Sequence, residues 1–493
     1  MDSPQVVGPA RVARLVGDVT GRRPVYRALA DALRQAVADG RVPVGARLPG
    51  ERELAAALSL SRTTVSGAYD VLRASGYLES RRGSGTRARL PYGTQHRPGA
   101  PLFHPSVPDG TLDLTCAATR APAEVLGAYE RAVERLPGYL TGTGYLTVGL
   151  PELRELLAQR YTDRGAPTTA DQIVVTSGSL AGIAAAVRVL VRRGGRVAVE
   201  DPGYPNTIAL LREAGARLST LAVDPTSGWD LAEASATLRR APTSAAFLLP
   251  DFHNPTGALL DDPGRARLAE ALAVHGTTPV VDETVAEIHL EEGAEVPLPF
   301  AAYAPGTVTV GGASKSHWGG LRVGWLRLPP GVTDRYVRAK VLGDLGVPVV
   351  EQLMLAELLR ESPGPAADHL AALRESRDAL LAALRTRLPE LRVEVPRGGL
   401  VLWCRLPEGL SATALVDAAA DRGLLLAAGP RFAVHGGHDG WVRIPYVLPP
   451  AQMEEAVARL ALTAADLRER GSHGGGRRRP PAHGPAAERP IVA

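Results

Sequence analysis

Lysine is nearly absent from this 493-residue chain: among 56 basic residues only Lys315 and Lys340 are lysines, and the rest are arginines. Cysteine is as scarce. Cys116 and Cys404 stand alone, which excludes a disulfide framework and a paired-cysteine metal motif. No apolar stretch approaches the ~20 residues that cross a bilayer, because Arg, Gly or Pro interrupts every long apolar segment. No charged-then-apolar leader opens the sequence, so a reduced, cytoplasmic protein with no membrane partner and no metal is expected. At ~150 residues per domain the length predicts two to three domains.

Charge is unevenly spread. Residues 1–90 hold fifteen arginines against eight acidic residues, an excess of seven, whereas the whole chain carries +4, so the remainder is net −3. A positive field at the N-terminus suits an anionic polymer. In this region YRALADALRQAV places Tyr26, Leu29, Ala30, Leu33 and Val37 at helical spacing, and DGRVPVGARLPG stops the helix. GERELAAALSL reads as a second short helix through Leu54 and Leu58. SRTTVSGAYDVLRASG reads as a third, with Ser61 as its N-cap and Val65, Tyr69 and Leu72 inward. YLESRRGSGTRARL is two β-prone pieces around an arginine-rich tip.

Three helices and a β-wing predict a mostly helical α+β winged helix-turn-helix, whose third helix enters the major groove of double-stranded DNA while the wing reaches the minor groove. Arg52, Arg62, Thr63 and Arg82 then face DNA. The stretch LPGERELAAALSLSRTTVSGAYDVLRASGYLESRRGSGT resembles the GntR-type DNA-binding domain over its whole length. The resemblance implies contacts at Arg52, Ser61, Arg62, Thr63 and the wing around Gly83. Gly50 stands where that family usually has a serine helix cap.

The domain boundaries expected are 1–87 for the winged helix, 88–112 for a Pro/Gly-rich linker, 113–465 for a large domain and 466–493 for a disordered basic tail. In the large domain QIVVTSG, RVAVEDP, SAAFLLP, TPVVDE and TVTVGGAS alternate with Ala/Leu-rich helical stretches. Such alternation predicts an α/β domain with a mostly parallel sheet and ligand-binding loops at the strands' C-terminal ends. At those ends TSGSLAG offers the amides of Gly178 and Ser179 to a phosphate, EDPGYPN offers the ring of Tyr204, DFHNPTG the amide of Asn254, and VVDET the carboxylate of Asp282. In SKSHWGGLRVGW, Ser314 and Arg322 flank Lys315 with groups suited to a phosphate dianion. A guanidinium stays protonated, whereas an ε-amine made neutral by burial attacks a carbonyl carbon, which gives a reason for lysine at 315 in an arginine-rich chain. Together these are the parts of a pyridoxal 5'-phosphate site.

Residues 113–465 resemble the fold type I aminotransferases, with a smaller C-terminal α+β subdomain implied. By matching motifs, Lys315 is the Schiff-base lysine, Asp282 the partner of the pyridine nitrogen, Asn254 the donor to the ring 3-oxygen and Tyr204 the stacking ring, while Ser179, Ser314 and Arg322 bind phosphate. Tyr145 in YLTVGL matches a tyrosine that reaches the phosphate of a neighbouring subunit, and Arg443 in WVRIPYV matches the arginine that grips a substrate carboxylate. One departure matters: the superfamily has a tyrosine two or three residues after the aspartate, and DETVAE puts Thr284 and Val285 there. A GntR-type winged helix ahead of such a domain resembles the MocR/GabR regulators. That resemblance implies a PLP-dependent transcription factor, acting as a head-to-tail homodimer, that senses an amino acid or a vitamin B6-related metabolite. The alternative is an active aminotransferase with an appended DNA-binding domain.

Overall fold

The computed structural model describes residues 6–473 apart from 20, 22, 39–40, 43–44, 82–84, 90–109, 292, 294 and 363. Arg82 and Gly83, most of the 88–112 linker and residues 474–493 lie outside the described residues.

The N-terminal unit is built from α1 (Pro9–Val16), α2 (Val25–Ala38), α3 (Glu51–Leu58) and α4 (Arg62–Ala74), followed by the antiparallel pair β1 (Leu78–Arg81) and β2 (Gly85–Ala88). Helix α1 was not expected from the sequence. It is short, starts on Pro9, and buries only Val12 fully, so its pattern is too brief to stand out. The inward positions are as the periodicity requires: Leu29, Leu33, Leu54, Val65, Tyr69 and Leu72 are all buried in one core, although Tyr26 stays half-exposed. The buried phenol of Tyr69 donates to the carbonyl of Pro49 at 2.9 Å, tying α4 to the turn that enters α3. Gly50 has no side chain to cap α3, but its N–H donates to the Glu53 carboxylate at 3.1 Å, which supplies half of a capping box.

The large domain is organised on an eight-stranded sheet. Its strands, in chain order, are β3 (Ile173–Thr176), β4 (Arg196–Asp201), β5 (Arg217–Asp224), β6 (Gly228–Trp229), β7 (Ala245–Leu248), β8 (Thr278–Asp282), β9 (Val308–Gly312) and β10 (Gly324–Arg327), and their spatial order is β3-β10-β9-β8-β7-β4-β5-β6. Pairing is parallel except at β10, antiparallel to both neighbours, and at the edge strand β6. Both faces are covered. Val197, Val199 and Phe247 pack under the helix Ser179–Leu190, while Ala198, Ala246 and Leu248 face the helices Leu231–Arg240 and Asp262–Val274. Burial on both faces is why these strands read as continuous apolar runs.

A smaller four-stranded sheet, Arg392–Val393, Val401–Arg405, Trp441–Pro445 and Ala427–Ala428, packs with the helices Ala367–Arg387, Ala412–Ala420 and Pro450–His473. The first described segment after the linker joins this unit: Leu112–Asp113 pairs with Leu424–Leu425. The start of the tail, expected to be disordered from 466, is helical as far as His473, and the rest of it lies outside the described residues. In the helical part Leu467 packs on the subdomain core, Asp466 pairs with Arg422, and Arg468 pairs with Glu390. Among the described residues no helix is long and apolar enough to cross a membrane, and no group of three or more metal-ligating side chains occurs.

Candidate functional site

Because β3, β4, β7, β8 and β9 run parallel, their C-terminal ends share one edge of the sheet, and the loops leaving them carry Gly178, Tyr204, Asn254, Asp282 and Lys315. Strand β10 runs the other way, so the residues entering it land on the same edge. Gly324 pairs with Gly312 on one side and Thr176 on the other, which brings Arg322 beside the loop after β3.

Lys315 sits on the single helical turn Ala313–Ser316 directly after β9. Its Nζ donates to the carbonyl of Ala117 at 2.8 Å. Burial pulls its pKa below the ordinary lysine value, the Cys116 and Asp282 side chains push back, and Arg443 and Arg322 lower it further. Lys340 is different: it is buried against the Asp344 carboxylate, which also accepts from the Ser177 hydroxyl at 2.8 Å. Of the two lysines, only the one at 315 has its amine on a neutral acceptor.

Asp282 ends β8. The N–H of Thr284 donates to its Oδ1 at 2.9 Å, and the Thr284 hydroxyl donates to the same oxygen. Burial raises the carboxyl's pKa above the usual range, while the two Thr284 bonds and Lys315 oppose that rise. A cavity beside Asp282 is lined by Tyr204, Thr207, Ile183 and Glu200. The Tyr204 phenol accepts from the Asn206 amide at 2.7 Å, and burial pushes its pKa up to about 12.

Arg443 comes from the other unit, on the strand Trp441–Pro445, and has no exposed surface. One of its terminal nitrogens donates to Asn254 Oδ1 at 3.2 Å and the other to the carbonyl of Thr115, and the guanidinium lies over the Phe432 ring at 5.2 Å. Its Nε is buried with no partner. Burial lowers its pKa to about 10. An orphaned donor on a buried cation is costly unless an acceptor arrives, and a carboxylate is the fitting acceptor.

The turn after β3 is a backbone cradle. Gly178 has φ +88°, and a Cβ there would come within 2.5 Å of Arg322 Nη2; a Cβ on Gly324 would meet the Gly178 and Ser179 backbone at 2.5–2.6 Å. No side chain caps the helix Ser179–Leu190, so its first amides are left for an anion. Ser314 is buried next to Lys315, whereas Arg322 is exposed and donates to the Ser177 carbonyl at 3.2 Å. Tyr145 is 68% exposed.

Sequence reasoning passed over the support behind this pocket. Glu200, in the apolar strand β4, accepts from Trp229 Nε1 at 2.8 Å and from the N–H of Leu249 at 2.9 Å, and its carboxylate lies 3.3 Å from His253 Nε2. His253 has no exposed surface and its Nδ1 bonds the Thr256 hydroxyl at 2.9 Å. The available signal was a charged residue inside an otherwise apolar strand.

On the N-terminal unit, Ser61 caps α4 by accepting from the N–H of Thr64 at 3.1 Å, and its hydroxyl also bonds that of Thr63 at 2.8 Å. Arg52, Ser61, Arg62 and Thr63 are exposed, Arg62 with 73% of its side chain accessible and 3.9 Å from Glu51. The structure thus brings Lys315, Asp282, Tyr204, Asn254 and Arg443 together, and places the first turn of α4 at the surface.

Comparison with known proteins agrees with this geometry. Residues 140–460 match the family described as aminotransferase class I and II, and residues 25–87 match the bacterial regulatory proteins of the gntR family. The chain is 28% identical over 486 residues to the probable rhizopine catabolism regulatory protein MocR of Rhizobium meliloti, covering 90% of this chain and 95% of that one. It is 31% identical over 353 residues to 2-aminoadipate transaminase of Thermus thermophilus, covering 69% of this chain and 87% of the relative. The crystal structure of LysN, the α-aminoadipate aminotransferase of Thermus thermophilus, complexed with N-(5'-phosphopyridoxyl)-L-leucine, superposes with a TM-score of 0.65 at 28% identity, over 73% of this chain and 94% of that one.

Proposed function

The chain belongs to the class I and II aminotransferase family and carries a gntR-family regulatory domain ahead of it, and from that premise we propose that it is a DNA-binding regulator whose large domain uses pyridoxal 5'-phosphate to sense a small amine bearing a carboxylate. The observation that carries the reading is the buried guanidinium of Arg443, with an unpartnered Nε, near enough to the Lys315 amine to lower its pKa. The guanidinium's open donor fits a carboxylate, and the ligand's amino group would take the place that the Lys315 amine holds at the cofactor's carbonyl carbon.

The residues fit the cofactor. Gly178, Ser179, Ser314 and Arg322 would hold its phosphate, Tyr204 would stack on its ring, and Asn254 and Asp282 would partner its oxygen and nitrogen. When bound, pyridoxal phosphate supplies an electrophilic carbon and an electron-accepting ring. Lys315, with its pKa lowered by burial, holds an amine that gives up its proton more readily than a surface lysine. Asp282, steadied by its two bonds from Thr284, would hold a proton at the ring nitrogen. Arg443 orients the carboxylate. Asn254, which accepts from Arg443, links the carboxylate end of the pocket to the ring end.

DNA recognition falls to Arg52, Ser61, Arg62 and Thr63, with Arg82 and Gly83 assigned to the wing by sequence. Exposed Tyr145 supports a head-to-tail homodimer in which it completes the partner's phosphate site. The enzyme reading draws on the intact set of Lys315, Asp282 and Arg443; the sensor reading draws on Thr284 and Val285. Val285 packs against the smaller subdomain's core and Thr284 donates to Asp282, so neither supplies the hydrogen bond that the superfamily's tyrosine gives.

The test is an absorbance titration of the purified full-length protein with a panel of amino acids, paired with DNA binding to the upstream region of its own gene. A ligand that changes the cofactor's spectrum and shifts DNA affinity supports the reading, since effector and DNA are linked only when the ligand favours one arrangement. A spectral change with unaltered DNA affinity, accompanied by steady product formation, overturns it in favour of the enzyme.

A further inference from the structure

Three consecutive residues, Thr115, Cys116 and Ala117, have their main chain held at both ends by the site: the Thr115 carbonyl accepts from Arg443, and the Ala117 carbonyl accepts from Lys315 Nζ at 2.8 Å. The segment is anchored from behind by Asp113, whose Oδ1 accepts from the N–H of Thr115 at 2.8 Å and from its hydroxyl at 2.6 Å. Cys116 is therefore fixed between the Arg443 guanidinium and the Lys315 amine. Its sulfur lies close enough to Lys315, Arg443 and Tyr204 to act electrostatically on all three. It is a free thiol with partial access to solvent, whereas the other cysteine, Cys404, is fully buried.

A cysteine alone says little, but this one lies beside the fully buried Arg443, whose Nε is a donor without a partner. We propose that Cys116 is a covalent-modification site of the effector pocket, selective for small electrophiles that carry a carboxylate. The inference rests on the reading of Arg443 as the carboxylate receptor. An α-halo carboxylate places its carboxylate on Arg443 and its reactive carbon beside the sulfur. The thiol gives its proton to the buffer, the sulfur attacks the methylene carbon, an S–C bond forms, the C–halogen bond breaks, and halide leaves. The product carries a carboxylate tethered where the effector's own carboxylate would sit, so a modified pocket is closed to the effector.

The experiment compares iodoacetate with iodoacetamide on the full-length, cofactor-loaded protein, reading the modified residue by peptide mass and its rate by intact mass. The two reagents deliver the same leaving group and differ in charge. Relative to the same pair on free N-acetylcysteine, Cys116 is expected to favour iodoacetate by about tenfold or more, as a cationic cleft concentrates an anion, while Cys404 stays unmodified. The preference should fall toward one with added salt or with excess acetate as a competing carboxylate, neither of which requires a variant to fold. Arg443→Gln should remove it as well, and Cys116→Ser should remove the adduct. A reagent preference equal to that of the free thiol, or equal labelling of both cysteines, overturns the proposal. The cofactor's absorbance in the same sample separates the two readings: a coloured protein with no carboxylate preference overturns the Cys116 proposal alone, and a carboxylate preference in a protein that takes up no pyridoxal phosphate upholds Cys116 while overturning the cofactor reading.

Discussion

The hydroxyl and the amide of Thr284 both donate to one oxygen of Asp282. The family's tyrosine would stand at this place or the next, so the donor that remains serves the carboxylate rather than the cofactor's 3-oxygen. Replacing Thr284 with valine keeps the amide bond and deletes the hydroxyl. A lost hydrogen bond to a charged group is worth about 1.5–3 kcal/mol, so cofactor affinity should fall by roughly tenfold to a hundredfold, measured by fluorescence titration of the apoprotein with pyridoxal phosphate. An unchanged affinity removes Thr284 from the site.

With no phenol at 284 or 285, turnover should be poor while ligand binding survives. Across a panel of amino and keto acids, steady-state product formation is expected below ~1 per second, the lower end of ordinary enzyme rates. Rates within ~1–1,000 per second would mark the protein as an aminotransferase.

Lys315→Arg replaces an amine whose pKa burial lowers with a group that stays charged. The variant should bind pyridoxal phosphate non-covalently, and borohydride should fix no cofactor mass on the protein. An adduct of undiminished yield on another residue would refute the assignment of Lys315.

Arg62 projects from the first turn of α4 with most of its side chain in solvent. If it reads a base edge, Arg62→Ala should weaken operator binding by about 1–3 kcal/mol, with cofactor binding unaffected. Native affinity in a gel-shift titration would exclude α4's first turn as the reading surface.

His317, two residues after Lys315, is buried and lies near Arg160 and His369, and burial takes its pKa from 6.5 down to about 4. The unfolded chain binds a proton at this ring through the window from pH 6.5 to 4 and the folded chain does not, so unfolding is favoured as pH falls through it. The contribution lost is on the order of 3 kcal/mol at ~1.4 kcal/mol per pKa unit. His317→Gln should flatten the fall in denaturation midpoint across that window; an unchanged slope would assign the acid sensitivity to other groups.

The sequence by itself determined the central strands of the large domain and which loop residues to look at. Five apolar runs foretold β3, β4, β7, β8 and β9 because strands buried on both faces must be continuously apolar, and the helical spacing of Val65, Tyr69 and Leu72 foretold α4 with Ser61 as its cap. The loop motifs named Lys315, Asp282, Asn254 and Tyr204 because each local turn demands its own residues. Tertiary structure decided the rest. That Arg443, far along the chain from Lys315 and in another unit, bonds both Asn254 and the Thr115 carbonyl follows from how two sheets pack. That Thr284 serves Asp282, that Glu200 is held by Trp229 and Leu249, and that Cys116 stands between the Arg443 guanidinium and the Lys315 amine are long-range or rotamer-level facts, and no local period encodes them. Spacing along a chain fixes which face a residue occupies on its own element, while which partner it meets there depends on the packing of elements far apart in sequence.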